Sequence, residues 1–381
     1  MARILIVGAS ARAAAQSAAN SGHEVIAADL FADRDTRAAA ATCLQVDRYP
    51  DDFIAIRREF ASLPVVYTGA IENYPDLVES LAARGPLLGN GADSLQRLRD
   101  PFQLQRLFHQ HGLPFPATSR SWADARAHQR DGQWLIKSFR SAGGQQVRRL
   151  ANVREGDEIV LEKGHYLQQC IAGNVVSAAF VSDGQACHLL GVSDMLVGCN
   201  WLGTDGFHYC GSISRSGDHA QLVQWQQIGQ TVASEFQLVG VFGIDAVDRE
   251  GTICPIEINP RYTASMEVHE LSQRIPVMDL HIRACQGASL DLSSTQHHVR
   301  QPAVAGKGIL FATRPVQIPA DLPRAPNGVM MADLPCAGQV IPTGYPILSL
   351  LYLAESPAAV LSQLRTAANF IADQMPVSDD G

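Results

Sequence analysis

The stretch GVFGIDAVDREGTICPIEINPRY, residues 240–262, carries two acids and an amide whose spacing suits metal binding. Side chains alternate along a strand, so Glu257 and Asn259 share one face of PIEINP while the isoleucines take the other. If the turn at REG pairs two strands, Asp245 joins that polar face. Two carboxylates and an amide oxygen are the hard donors that Mg²⁺ prefers. A solvent-facing polar strand edge is the alternative, and this stretch alone leaves both open.

A lysine and a pair of glycines form a second polar element, in QWLIKSFRSAGGQQVRRL. Lys137 lies inside an apolar strand, where an ammonium group is costly to bury without a partner. A phosphate oxygen would supply that partner, and the Ser-Ala-Gly-Gly loop that follows could fold its backbone N–H groups over phosphates. An ordinary hairpin turn would use the same glycines. Together with the oxygen ligands downstream, this element favours a bound phosphate compound.

Two glutamines, Gln168 and Gln169, open the strand-like run YLQQCIAGNVVSAAFV. An amide side chain and the neighbouring backbone groups could recognise a nucleobase at this position. In isolation, a polar strand edge that blocks aggregation is the simpler interpretation.

Composition narrows the class of protein. The chain has 381 residues, a formal net charge of -8 and a pI near 5.8, which argue against a general nucleic-acid binder and favour a small-molecule substrate. Its eight cysteines form no CxxC pair, so reduced, mostly buried thiols are expected. The first residues are too soon interrupted for a signal peptide and no run reaches membrane-span length, so we expect a cytoplasmic protein without a membrane partner.

The first hundred residues alternate strand and helix signals, which predicts a parallel, Rossmann-like sheet covered by helices. The first turn reads GASARAAA and lacks the spaced glycines of a dinucleotide site, although Asp29 ends the second strand as such a site requires. We expect this region to pack against the rest of the chain and help to enclose a substrate. Ser10, Arg12, Glu72 and Asn73 are candidate contacts at strand ends.

The rest of the chain changes character near residue 116. Strand-like runs separated by Gly, Asn and Asp turns predict antiparallel sheet, and EIVLEK is one of these runs. A long helix is expected around QLVQWQQIGQTVASEFQ, and the tail from Pro302 is β-rich until a final helix. The loop that carries Trp201, Phe207 and Tyr209 could line an acceptor pocket or simply pack as a loop.

The order of these elements resembles the ATP-grasp superfamily. The resemblance covers residues 90–300, and EINPR is its most specific part. SARAAAQSA, YTGAIEN and RDP are similar to a branch of predicted ATP-dependent carboligases (carboxylate-amine ligases), some linked to methanopterin or methanofuran C1-carrier biosynthesis. The resemblance implies a multidomain α/β and α+β protein, in which a Rossmann-like pre-ATP-grasp domain precedes a two-lobed ATP-grasp fold.

The resemblance also implies roles for individual residues. Arg261 and Lys137 are the expected catalytic residues, with Lys137 on the α- and β-phosphates of ATP. One or two Mg²⁺ (or Mn²⁺) ions would be held by Asp245, Glu257 and Asn259. The remaining cofactor-binding residues are the loop over the phosphates and the residues beside adenine: Ser141, Ala142, Gly143, Gly144, Gln168, Gln169 and Ile171.

Two positions depart from the family pattern. Many members carry a lysine just after an aspartate where this chain reads Asp100-Pro101, and Arg99 is one possible replacement. Many also have an acid for the ribose shortly after the hinge glycine, where this chain reads GNVVS. Nucleotide contacts are therefore expected to be weaker or rearranged.

The leading hypothesis is an ATP- and Mg²⁺-dependent ligase that joins a carboxylate to an amine through an acylphosphate. Glutamate is the expected partner, and a homodimer is a superfamily-level expectation. One alternative is a biotin-type carboxylase, because EINPRYTASMEVHE is similar to its metal strand, although Glu267 lies later than that pattern requires and no biotin-carrier motif is present. A non-catalytic ATP-binding regulatory protein is the other alternative.

Four segments are predicted. They are a Rossmann-like domain (1–98), a small lobe (99–172), a large lobe with the metal site (173–301), and a C-terminal β-rich segment with a helix that packs on the core (302–381).

Overall fold

The computed structural model describes residues 1–128, 133–150, 159–290 and 303–378. In that part of the chain one parallel sheet is followed by antiparallel sheets of four, eight and two strands. This arrangement confirms the predicted mixed fold, with a Rossmann-like N-terminal region ahead of antiparallel lobes.

The N-terminal sheet is parallel and covered by helices. Its strands are β1 (Arg3–Val7), β2 (Glu24–Asp29), β3 (Thr42–Gln45) and β4 (Val65–Tyr67). Its helices are α1 (Arg12–Asn20), α2 (Arg34–Ala39), α3 (Asp52–Glu59) and α4 (Pro75–Ala82). The strand order is β3-β2-β1-β4, and residues 4–7 of β1 are fully buried because both faces of the sheet are covered.

The turn after β1 is closed by Asp29 instead of a glycine-rich loop. The Asp29 carboxylate accepts hydrogen bonds from the backbone N–H groups of Ala11 (2.8 Å), Phe31 (3.1 Å) and Ala32 (2.7 Å). It is fully buried. This carboxylate is therefore committed to its own loops and does not face a ligand as the acid of a dinucleotide site would.

A small antiparallel sheet follows two helices. The helices of this region are α5 (Ala92–Leu98), α6 (Pro101–Gln110) and α7 (Trp122–His128). The strands are β5 (Thr118–Ser119), β6 (Trp134–Ser138), β7 (Arg148–Arg149) and β8 (His165–Gln169), in the order β5-β8-β6-β7. The strand expected at EIVLEK is wrong for the part that the structure describes, since residues 159–163 belong to no strand.

An eight-stranded antiparallel sheet forms the largest layer. Its first strands and the helices near them are β9 (Asn174–Asp183), β10 (Cys187–Val197), β11 (Tyr209–Arg215), α8 (His219–Phe236), β12 (Val239–Arg249), β13 (Thr252–Asn259), α9 (Met266–Gln273) and α10 (Val277–Cys285). The later elements are β14 (Val304–Phe311), β15 (Val316–Gln317), β16 (Met330–Ala332), β17 (Val340–Ile341), β18 (Pro346–Ala354) and α11 (Pro357–Gln374).

This sheet runs across two of the predicted segments. Its order is β13-β12-β9-β10-β11-β14-β18-β16, so strands from residues 302–381 continue the sheet of residues 173–301. The proposed division at 301 lies outside the described residues. α11 packs on β14 and β18 through Val360, Leu364 and Ile371, all fully buried.

All eight cysteines are free thiols. None of the helices in the described ranges combines the length and the apolar character that a membrane span needs.

Candidate active site

The two acids and the asparagine of residues 240–262 lie on paired antiparallel strands. Asp245 of β12 lies opposite Glu257 of β13, and Gly243 lies opposite Asn259. The side chains of Asp245, Glu257 and Asn259 therefore line one cleft, as the alternation along both strands predicts.

The alternation fails at Ile256. The register shifts by one residue, because Asp245 pairs with Glu257 while Ala246 pairs with Pro255, which leaves Ile256 as the extra residue of a β-bulge. Ile256 is half-buried and lines the cleft beside Glu257, whereas Ile258 is buried in the core. Its expected place on the buried face is thus wrong.

A chain of hydrogen bonds links the predicted metal ligands to Arg261. Nδ2 of Asn259 donates to Oδ2 of Asp245 (3.0 Å), and Nη2 of Arg261 donates weakly to Oδ1 of Asn259 (3.4 Å). Burial, followed by the charge of Glu257, raises the pKa of Asp245 to about 6. A divalent cation between the two carboxylates would relieve that repulsion, so this donor set fits Mg²⁺.

Glu72, from the N-terminal domain, reaches this network. Its Oε1 lies 2.7 Å from Nε of Arg261 and 3.0 Å from Nη2 of Arg99, and the side chain is 1% exposed. Burial alone would raise the pKa of Glu72, but Arg261 and then Arg99 outweigh it and hold that pKa below its usual value. One buried carboxylate therefore fixes two guanidinium groups.

Arg99 continues the network to the metal strand. Its Nη1 donates to Oε1 of Glu257 (2.8 Å). The residues after it begin α6, where the Asp100 carboxylate accepts from the N–H of Phe102 (2.9 Å) and Pro101 takes the first helical position. Asp100 and Pro101, which depart from the family pattern, therefore begin a helix, and the residue before them, Arg99, contacts Glu257.

Lys137 is buried inside β6, as its apolar surroundings predict. The side chain is 7% exposed, and Nζ donates to Oε1 of Gln168 across the sheet (3.1 Å). Nε2 of Gln168 is buried and has no hydrogen-bond partner in the described part of the chain. An ammonium and an unsatisfied amide N–H at the same wall suit an anionic ligand, because buried donors need an acceptor.

The loop Ser141–Gly144 folds down onto the opposite wall. The Ser141 carbonyl accepts from Nδ2 of Asn73 (3.2 Å), and the Gly143 carbonyl accepts from the N–H of Tyr209 (2.9 Å). A Cβ on Gly144 would lie 2.0 Å from the carbonyl oxygen of Phe207, and φ is +73° there. Only glycine allows this close approach.

The second glutamine behaves differently from the first. Gln169 belongs to the same cleft, but its Oε1 accepts weakly from the N–H of Ala117 in the neighbouring segment (3.4 Å). The wall beyond it is apolar and includes Ile171.

All twelve residues that the sequence nominated for catalysis, nucleotide or metal lie around one opening, the central cleft, with a volume of about 1270 Å³ that is open to solvent. They are Lys137, Ser141, Ala142, Gly143, Gly144, Gln168, Gln169, Ile171, Asp245, Glu257, Asn259 and Arg261.

Several residues of the central cleft were not predicted. They form pairs two apart on neighbouring strands: Val175 and Ser177 on β9, Met195 and Val197 on β10, and Val247 beside Asp245 on β12. Side chains two apart on a strand share a face, so alternation would have found them once the strand order was known. That order is not visible in a single sequence.

The loop after β10 is divided between two roles. Phe207 and Tyr209 line the central cleft. Trp201 instead packs against the core of the C-terminal segment, with the guanidinium of Arg365 5.6 Å from its ring. Of the two predictions for this loop, packing holds for Trp201.

Residues 98–265 match the family described as ATP-grasp domain. This match confirms the resemblance on which the predicted roles depend. Among curated proteins, none matches this chain.

Solved structures share the fold of nearly the whole chain. The biotin carboxylase of Campylobacter jejuni aligns with a TM-score of 0.76 at 16% identity, over 98% of this chain and 92% of that one. N5-carboxyaminoimidazole ribonucleotide synthetase from Thermotoga maritima aligns with a TM-score of 0.67 at 14% identity, over 97% and 98%. At these identities the likeness establishes the fold alone.

A longer protein also contains this fold. Pyruvate carboxylase from Rhizobium etli aligns with a TM-score of 0.75 at 16% identity over 96% of this chain. The chain spans only 37% of that protein.

Proposed function

We propose, because residues 98–265 belong to the ATP-grasp domain family, that this protein is an ATP- and Mg²⁺-dependent ligase that joins a carboxylate to an amine. The observation that carries the proposal is the shared cleft. Lys137 lies on one wall, the glycine loop folds from there onto the opposite wall, and Asp245, Glu257 and Asn259 line the same cleft. Buried cations facing oxygen donors suit a metal-bound triphosphate.

The reaction would proceed in two steps. An oxygen of the carboxylate substrate attacks the γ-phosphorus of ATP, the bond from phosphorus to the bridging oxygen breaks, and ADP leaves. The amine then attacks the acyl carbon of the acylphosphate, phosphate leaves with the electrons of the C–O bond, and the amine proton passes to solvent. The products are an amide, ADP and phosphate.

The residues of the cleft would act mainly by positioning and by charge. Lys137 would bind the α- and β-phosphates, and the backbone of the loop Ser141–Gly144 would cover them. Arg261, held in one orientation by Glu72, would neutralise the transferring phosphoryl group or the substrate carboxylate. Mg²⁺, held by Asp245, Glu257 and Asn259, would supply charge neutralisation on the phosphate oxygens.

The finer assignment concerns the substrates. We propose an amino acid such as glutamate as one partner and C1-carrier biosynthesis as the setting. The three stretches that carry this resemblance meet beside the cleft, since Oγ1 of Thr68 donates to the carbonyl of Ser10 (2.8 Å) and Glu72 contacts Arg99. A homodimer also stays a prediction; the related Hydrogenobacter thermophilus domain is described as a dimer.

The test is release of ADP from Mg²⁺-ATP across a pooled library of amino acids and C1-carrier precursors. Release should require both a carboxylate and an amine. Glu257→Gln should lower it by roughly 100-fold, because one carboxylate of the metal site is lost. Glu250→Gln, an exposed acid in the turn of the same hairpin, is the matched control and should keep full activity.

A biotin-type carboxylase is the second candidate, favoured by the shared fold of the Campylobacter jejuni enzyme. The acid on which that comparison depends, Glu267, is 6% exposed and paired with Arg12 and Lys307, and it does not line the central cleft. Its carboxylate therefore forms structural ion pairs and does not face the nucleotide site. ADP release that depends on bicarbonate would favour the carboxylase; tight Mg²⁺-ATP binding without any release would favour a regulatory protein.

A further inference from the structure

A second cavity, the C-terminal cavity, lies between the N-terminal domain and the strands of the C-terminal segment. Its volume is about 860 Å³, which includes space open to solvent. Ala264 lines both this cavity and the central cleft, so the two openings adjoin. None of the residues nominated from the sequence for nucleotide or metal lines it.

The walls of the C-terminal cavity are mostly apolar. Ile309, Phe311 and Leu348 come from β14 and β18, and Phe31 comes from the N-terminal domain. Val340 is 41% exposed and Tyr345 is 58% exposed, so an apolar rim faces solvent. Apolar walls with a few polar groups are typical of sites for small organic molecules.

The polar groups at this cavity have an excess of negative charge. Nζ of Lys307 lies 2.7 Å from Oε2 of Glu267 and 3.7 Å from Oδ2 of Asp333. Asp333 also accepts two hydrogen bonds from Arg12. The cation at this cavity is thus already paired and offers little to an anionic ligand.

Asp33 is the acidic residue of this cavity that these ion pairs do not include. Its side chain lines the C-terminal cavity, is 6% exposed, and has no hydrogen-bond or ion-pair partner among the residues that the structure describes. Burial, followed by the charges of Asp333, Asp29 and Asp35, raises the pKa of Asp33 to about 8. A buried carboxyl group without a partner destabilises the fold, and a bound donor would relieve this.

We propose that the C-terminal cavity binds the amine substrate, as a primary amine with an apolar body whose amino group donates to the Asp33 carboxyl group. That the bound amine is a substrate rests on the proposed ligase function, whereas amine binding at this cavity does not depend on it. The apolar walls take the body of the molecule, and Ala264 marks the side on which the cavity meets the central cleft.

Binding is tested by calorimetry with benzylamine, isopentylamine and hexylamine, each compared with the alcohol of the same carbon skeleton and with benzoate. At least one amine should bind the wild-type protein about tenfold or more tightly than its alcohol, because a charged donor faces Asp33. Asp33→Asn should remove that tenfold preference while changing alcohol binding less than about twofold. Asp321→Asn, an exposed acid of the same segment, is the control and should change neither.

A second variant tests the location. Val340→Trp narrows the exposed rim and should weaken the amine and its alcohol together. Failure of all three amines to bind at about 10 mM would overturn the proposal, as would benzoate binding more tightly than the amines or an amine preference that survives Asp33→Asn.

Turnover separates this inference from the ligase proposal. In an active ligase, Asp33→Asn should raise KM for the amine about tenfold while KM for ATP stays unchanged. Amine-dependent ADP release with an unchanged KM would overturn the site and leave the ligase standing. Amine binding that depends on Asp33, without any ADP release, would support the site and overturn the ligase proposal.

Discussion

Glu72 joins the N-terminal domain to the chemistry of the central cleft through one oxygen. Arg99 and Arg261 both approach that oxygen, and both guanidinium groups are largely buried. A buried cation that loses its partner keeps the cost of its desolvation. Glu72 is therefore a positioning residue on which two cleft arginines depend.

We expect Glu72→Gln to lower the free energy of unfolding by about 3 kcal/mol, because the buried guanidinium of Arg261 loses its paired carboxylate and that of Arg99 keeps only Glu257. Urea denaturation would measure this loss. Glu79→Gln, an exposed acid on α4, is the matched control and should change it by less than about 0.5 kcal/mol. A loss below about 1 kcal/mol in Glu72→Gln would show that the arginines find other partners.

Single residues were predictable where chemistry and local pattern agree. Lys137 in an apolar strand and the acids of EINPR could be nominated because each is costly or unusual in its own segment. The contact between Glu72 and Arg261 could not, since 189 residues separate the two along the chain. Nothing in either local sequence specifies the other.

At the scale of elements, the glycine loop offers a matched pair of substitutions. Gly143 and Gly144 both have positive φ, +63° and +73°, so alanine strains the backbone at either position. Only at Gly144 would the new Cβ also collide with a backbone oxygen, that of Phe207, while nothing lies within 4 Å at Gly143.

Gly144→Ala should therefore lift the loop off its wall. We expect kcat/KM for ATP to fall about tenfold or more beyond the loss in Gly143→Ala, because the loop no longer closes over the phosphates. Steady-state ADP release measures both variants. Equal losses would mean that backbone strain matters and the contact with Phe207 does not.

Element types followed from periodicity, but their details did not. The hairpin of β12 and β13 was predictable from two alternating runs and a turn, whereas its bulge was not. Placing Ile256 in the cleft requires knowing which residue of β12 faces Glu257, and strand pairing fixes that register.

For the whole molecule, Glu270 links α9 to the first helix. Ser17 of α1 and the hydroxyl of Tyr262 (2.7 Å) donate to its carboxyl group, as does the N–H of Val277 (3.0 Å). Burial raises the pKa of Glu270 to about 7. The folded state therefore holds a proton that the unfolded chain releases near its ordinary pKa of about 4.3.

This difference gives a pH dependence of known sign. Because the pKa of Glu270 is higher in the folded state than in the unfolded chain, the protonated carboxyl group contributes its full stabilisation below about pH 4.3. This contribution is lost as pH rises through about 7. The side chain of Glu270→Gln cannot lose a proton. The free energy of unfolding of this variant, relative to that of the wild type, should therefore rise by up to about 3 kcal/mol between pH 5 and pH 8. Urea denaturation at four pH values would measure the gain; a constant difference would contradict the assignment.

The C-terminal segment shows the limit of sequence reasoning at this scale. Its β-rich character was readable, but not that β14, β18 and β16 extend the sheet begun by β9 to β13. Sheet membership depends on which strand edges meet, and one sequence does not record it.

Arg12 has a consequence for how the chain reaches this state. It is fully buried, and its partners Glu267 and Asp333 lie 255 and 321 residues later. A ribosome adds about 5 to 20 residues per second, so Asp333 is made some tens of seconds after Arg12. Until then the N-terminal domain offers Arg12 only the more distant carboxylate of Asp35, 3.7 Å from its Nε. The two closest carboxylate partners are missing, which makes the nascent chain a candidate for chaperone protection.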